Sequence, residues 1–265
     1  MVFRTVDDIS HLDGGTMRNQ PTQSNQPTHT DNQQLARRTG LAYLGIIATG
    51  IFAEFAVRGS LIAEDDPITT ADNIAGSPGL FGVGIGADVV MIALDVVVAF
   101  GLFGLLRHVD RRLARTATAL RLVQGAVLAV NLVNLAQALG FARDAADVDG
   151  TVLAGPAQDV LDAVERHALG YDAGLIAFGL SCLVLARILA TSRLVSRPLA
   201  IGMYATGVVY LVGSFAALAA PSLSTVIDPF YAIPLVVELA FAIRLVTRGL
   251  QADTTESPQP VPVAV

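Results

Sequence analysis

The sequence predicts an all-α, polytopic membrane protein: a bundle of six transmembrane helices with both termini in the cytoplasm. Three observations carry that expectation. The chain is 53% hydrophobic and only 15% charged, with a mean hydropathy of +0.58, whereas an average soluble domain carries about 25% charged residues. Six apolar stretches each approach the roughly 20 residues needed to cross a bilayer. Arginine marks alternate connections between them, which sets orientation by the positive-inside rule. No ten-residue alternation of the kind that builds a membrane β-barrel is present.

The elements follow in order. Residues 1–36 contain NQPTQSNQPTHTDNQQ (19–34) and are too poor in apolar side chains to bury a core, so they are expected to form a disordered tail. They do not open on a secretory signal, and Met17 is an alternative start. The transmembrane domain is placed at 37–250, with spans near 40–61, 80–106, 118–142, 166–190, 199–220 and 230–249. Arg37 and Arg38 precede the first span, RHVDRRLAR (107–115) joins the second to the third, ARILATSRLVSR (186–197) joins the fourth to the fifth, and Arg244 and Arg248 close the sixth. The other connections are acidic: AEDDPITTADN (63–73), RDAADVDG (143–150) and STVIDP (224–229). Within 143–165, PAQDVLDAVERHA has Pro156 suited to a first helical turn. Val160, Leu161 and Val164 make a short apolar stripe there, which predicts an amphipathic extension of the fourth helix, lying at the outer surface. Residues 251–265 read as a second disordered tail.

Composition narrows the function classes. A net charge of −6 leaves no basic patch for nucleic acid. All 17 basic residues are Arg and there is no Trp; the Ala, Gly, Val and Arg bias is that of a GC-rich bacterial genome. The single Cys182 excludes an intrachain disulfide. GVGIGAD (82–88) lies inside a span and follows no strand, so it is not a nucleotide loop and no cofactor is expected. Gly82/Gly86 and Gly170/Gly174 are spaced as close helix contacts instead.

Four stretches together resemble one family. GIFAEFAVRGSLI (50–62), the second-span Asp88 and Asp95, ALRLVQGAVLAVNLVNL (119–135) and HALGYDAGLIAFGLSCLVLA (167–186) are similar to bacterial six-helix membrane proteins of domain-of-unknown-function family 4386. The resemblance covers about residues 35–250. It implies a multi-pass protein of the bacterial plasma membrane and no particular activity.

The polar residues inside the spans are the candidates for function, since a carboxylate at helix centre costs about 2.5–3.5 kcal/mol on insertion scales. Counting at 1.5 Å per residue from the outer ends, Glu54, Arg58, Asp88, Asn134, Asp172 and Glu238 fall within roughly 12 Å of the outer surface, with His167 at the boundary. A deeper structural layer holds Asp95, Arg121, Gln124 and Asn131, with Asp95 and Arg121 the natural pair. In the outer layer Glu54 and Arg58 stand in the favourable i,i+4 order. That leaves Asp88, Asp172 and Glu238 with little compensating charge, so a proton, cation or small cationic molecule is the expected ligand and the lipid bilayer the expected partner. Two other readings stand beside it. One is an intramembrane acid/base or metal-dependent enzyme, disfavoured because His167 and Asp172 lie about 140° apart on a helix. The other is a non-catalytic membrane partner protein whose ion pairs only set helix register. Pro234 frees the carbonyl of Phe230 and predicts a kink or hinge in the sixth span.

Overall fold

The computed structural model of the chain describes residues 29–146 and 152–250. Six of its helices are long and apolar enough to cross a membrane: Thr30–Leu61, Pro78–Leu106, Arg111–Ala145, Ala154–Ser192, Arg197–Ala219 and Pro229–Thr247, here spans 1 to 6. Among the described residues the β geometry amounts to one isolated bridge between Ala146 and Val152. The six-helix bundle expected from sequence is therefore present.

The first helix starts at His29, inside the segment expected to be a tail. Leu35 and Ala36 explain the difference. Ala36 is buried in the main core and Leu35 packs against it, near Gly104 of span 2. Burial against neighbouring spans overrides the polar composition of the segment. The expectations for 1–28 and 251–265 lie outside the described residues.

The spans are unequal. Spans 1 to 4 contain 32, 29, 35 and 39 residues, while spans 5 and 6 contain 23 and 19. At 1.5 Å per residue the short pair measures about 35 and 28 Å, close to the roughly 30 Å of bilayer hydrocarbon. The four long spans therefore project beyond it. On the arginine-rich face the connections 107–110 and 193–196 are short turns, so the excess length emerges on the opposite face.

There it builds a second hydrophobic core. A short helix, Pro67–Gly76, is opened by Asp66, whose carboxylate accepts from the Thr69 amide at 3.0 Å and the Thr69 hydroxyl at 2.7 Å. These bonds hold the Asp66 carboxyl below its ordinary range. Ala71 and Ile74 of this helix pack with Val57, Leu61 and Phe81, with Ala138 and Ala142, and with Ala157, Val160 and Ala163. Residues 154–165 are thus the first turns of span 4, and their apolar stripe faces protein. The expected extension of the fourth helix is present, but its stripe is covered by the ends of spans 1 to 3 and by Pro67–Gly76 rather than lying against the membrane surface.

Two backbone features shape the spans. Span 1 changes to a seven-residue π-helix at Phe52–Arg58, with the Gly59 amide bonded to the Glu54 carbonyl five residues back. On an uninterrupted α-helix Glu54 would lie within about 20° of the buried Tyr43, three turns on. Across the π segment Ala53, Val57 and Arg58 are buried instead, and Glu54 turns outward. In span 6 a 3₁₀ segment, Asp228–Tyr231, gives way to the α-helix Ala232–Thr247. Pro234 sits in the first turn of that α-helix, where a missing amide breaks no interior bond. The expected kink is replaced by this change of ladder.

Close packing depends on one of the two expected glycine pairs and on others besides. Gly82 and Gly86 face open space, so they are not helix contacts. Gly84 meets Val57, and Gly101 lies so near Thr39 that an added methyl would fall 2.1 Å from its hydroxyl. Gly170 and Gly174 do face span 3, at Asn131 and Leu128. Gly101→Ala is therefore expected to destabilise the protein by about 1–3 kcal/mol. Gly86→Ala, in open helix, should be neutral or slightly stabilising. Melting temperatures of the two variants in the same detergent check this.

Candidate functional site

Span 1 carries Arg58 into the bundle at the end of its π segment. Arg58 Nη1 donates to Asp88 Oδ2 at 2.7 Å and Nη2 to Oδ1 at 3.4 Å, while Nε donates to Glu54 Oε2 at 2.7 Å. The two acids are not equivalent. The Asp88 side chain is 4% exposed and that of Glu54 61% exposed. The buried ion pair is thus Arg58–Asp88, and Glu54 is its solvated third member. Sequence reasoning had matched Arg58 with Glu54 and left Asp88 in want of a cation. The structure reverses that order, because the π segment turns Glu54 away from the bundle.

The other outer residues are separated. Asn131 of span 3 meets His167 of span 4: its side-chain amide donates to the His167 carbonyl at 2.8 Å and lies 3.1 Å from Nδ1. Asn134 donates to Asn131 Oδ1 at 2.8 Å. Asn131, placed in the deeper layer from sequence, therefore belongs to the outer one. Asp172 faces span 5, accepting from the Ser214 hydroxyl at 3.4 Å. Among the described residues no three His, Cys, Asp or Glu side chains come together as a metal-ligand set.

The second constellation lies deeper and draws on all six spans. Arg121 of span 3 donates through Nε to Asp95 Oδ1 of span 2 at 3.0 Å, and Nη2 donates to the same oxygen. Its guanidinium carbon stands 5.1 Å from the ring centre of Tyr43 (span 1) and 4.7 Å from that of Phe178 (span 4). Tyr43 donates its hydroxyl to Glu238 Oε2 of span 6 at 3.1 Å, and Tyr210 of span 5 donates to Glu238 Oε1 at 2.7 Å. Glu238 was expected in the outer layer and is found here. Depth counted from the outer ends failed because those ends are not level. Counted from the arginine-rich face, Asp95, Arg121 and Glu238 lie about 17, 15 and 14 Å deep, near mid-bilayer. Asp88 lies about 27 Å deep, at the far edge of the hydrocarbon.

Beside these groups lies a cavity of about 70 Å³, lined by Asp95, Arg121, Gln124, Tyr171, Tyr210 and Glu238 together with apolar side chains that include Ile46, Met91 and Leu128. Two of its acceptors, Asp95 Oδ2 and Gln124 Oε1, are buried without a hydrogen-bond partner in the protein. Buried acceptors without partners are rare and each calls for a ligand or a water. Asp95, Arg121 and Gln124, read from sequence as structural, thus line this cavity. Tyr43, Tyr210 and Phe178 were missed. All five tyrosines of the chain lie inside spans 1, 4, 5 and 6, and they were the available signal, since a phenol inside a bilayer needs a partner for its O–H.

The fold and these paired charges define a multi-pass membrane protein with two buried ionic layers, one at mid-depth and one at the hydrocarbon edge. The chain belongs to the family described as Domain of unknown function (DUF4386), which matches residues 38–249. No curated protein and no solved structure matches it.

The geometry orders the effects of removing each charge. Breaking the Arg58–Asp88 pair by Asp88→Asn strands a buried guanidinium and is expected to cost about 3–5 kcal/mol. Glu54→Gln removes only an exposed partner and should cost less than about 1 kcal/mol. Chemical denaturation of both variants in lipid–detergent micelles checks the ranking. At mid-depth, Asp95→Asn and Arg121→Gln should each destabilise more than the double variant does. A double-mutant cycle giving additive losses would contradict their direct pairing.

Proposed function

We propose that this protein binds a proton or a small inorganic cation inside the membrane, with the mid-depth cavity as its site. One observation carries the reading. Two carboxylates, Asp95 and Glu238, share that cavity with one guanidinium, Arg121, and two of its acceptor atoms have no protein partner. A net negative charge in a low-dielectric interior must be neutralised by protonation or by a bound cation. The size of the cavity argues against the small cationic molecules also considered from sequence. A space of about 70 Å³ admits a few water-sized particles, each needing about 10–15 Å³ by this measure. The outer acids contribute less, because Asp88 is neutralised by Arg58.

The metal-dependent form of the enzymatic reading has less support, since no metal-ligand set is assembled among the described residues. The proposal includes a bacterial plasma membrane and a cytoplasmic arginine-rich face, both supported by the arginine distribution.

Two measurements test the reading. Melting of the purified protein should rise with an alkali cation or shift with pH, and Glu238→Gln should abolish the shift. A ligand at 100 times its Kd stabilises by about 2.7 kcal/mol. Melting that ignores both pH and cations would overturn the proposal. For orientation, single cysteines at positions 112 and 72 in a Cys182→Ala background should be labelled by an impermeant reagent in intact cells only at position 72.

A further inference from the structure

We infer that the mid-depth cavity takes one monovalent alkali cation in exchange for one proton, so that the two ligands exclude each other. This inference rests on the proposed function and specifies its ligand.

The charge count decides valence. Asp95 and Glu238 together carry two negative charges when ionised and Arg121 carries one positive charge. One added positive charge leaves the cavity neutral, whereas a divalent ion leaves a net positive charge in a medium where that is costly. The chemistry of the lining decides hardness. The atoms without partners are both oxygens, Asp95 Oδ2 and Gln124 Oε1, and Glu238, Tyr171 and Tyr210 line the same space. An all-oxygen set suits hard cations. The volume sets the size, about 70 Å³ admitting a small ion with several waters.

Arg121 does not block such an ion. Its charge is held against Asp95 Oδ1 and between the faces of Tyr43 and Phe178. The second oxygen of Asp95 is left outside that pairing.

Exchange follows from the same count. The titratable and charged groups facing Glu238 are Tyr43 of span 1, Asp95 of span 2, Arg121 of span 3, Tyr171 and Cys182 of span 4, and Tyr210 of span 5. Of these Asp95 is already paired, so the excess charge resides on Glu238. A proton on Glu238 and a cation beside it neutralise the same charge. The step is balanced: the protonated carboxyl releases its proton as the metal cation enters, and the carboxylate–cation pair is left. Phenol donation from Tyr43 and Tyr210 supports the ionised, cation-bound form.

The test uses the full chain in detergent, with melting measured against NaCl, KCl and MgCl₂ over a pH series. Choline chloride controls for ionic strength. Expected is stabilisation by sodium or potassium but not by choline or magnesium, with the apparent Kd rising tenfold per pH unit on the acid side of the Glu238 titration. Glu238→Gln should lose both the cation effect and its pH dependence. Should that variant not fold, Gln124→Leu should weaken cation binding at least several-fold while pH-dependent melting persists. Cation affinity independent of pH, or magnesium matching sodium, would overturn the exchange and leave a cation site standing. Melting that depends on pH through Glu238 but on no cation would overturn it and leave a proton site. Indifference to both would defeat this inference and the proposed function together.

Discussion

A guanidinium at mid-bilayer must be surrounded, and the fold is organised around that requirement. Arg121 is neutralised by Asp95 and flanked by Tyr43 and Phe178. Tyr43 reaches on to Glu238, and Glu238 to Tyr210. Each of the six spans supplies one member of this chain of contacts. Apolar packing alone gives helices in lipid little reason to choose one rotation over another, because lipid is as apolar as leucine. A polar group on each helix does give a reason. The mid-depth network fixes the rotation of every span about its own axis, and the surrounding apolar core then packs to fit.

The outer layer has a different role. It separates two hydrophobic cores. One lies within the bilayer-spanning bundle and includes Tyr43, Phe178, Met203 and Phe241; the other lies beyond the short spans and includes Ile74, Phe81, Leu135 and Val160. Between them stand Arg58 with Asp88 and Asn131 with His167. This level coincides with the far edge of the hydrocarbon, where headgroups and water lower the cost of charge. The carboxylate in GIFAEFAVRGSLI is tolerable in a long apolar helix because the π segment delivers it to that edge, and the guanidinium because Asp88 meets it inside.

Much of this was legible in the sequence, and the failures share physical causes. Hydropathy and the arginine pattern located six spans, because both signals are local. The pairing of Asp95 with Arg121 was legible too, since two opposite charges at similar depth on adjacent helices have few alternatives. The partner of Arg58 was not, because a π insertion leaves no mark in composition yet rotates the face by about 100° for each residue added. Glu238 was assigned to the wrong layer because spans of unequal length share no common outer level. The glycines showed the same limit. Gly86 and Gly101 look alike in sequence, and only the rotation of span 2 decides which of them meets Thr39.

The depth of the Arg121 network has an electrical consequence. A positive charge entering from either face to a point near mid-bilayer crosses about half of the membrane potential. At about 2.3 kcal/mol per elementary charge per 100 mV, half the field amounts to about 1.2 kcal/mol, or roughly a sevenfold change in occupancy. Asp88, at the hydrocarbon edge, feels almost none of this. Any charge that reaches Glu238 therefore responds to voltage as well as to concentration, and the sign of that response identifies the face from which the cavity fills.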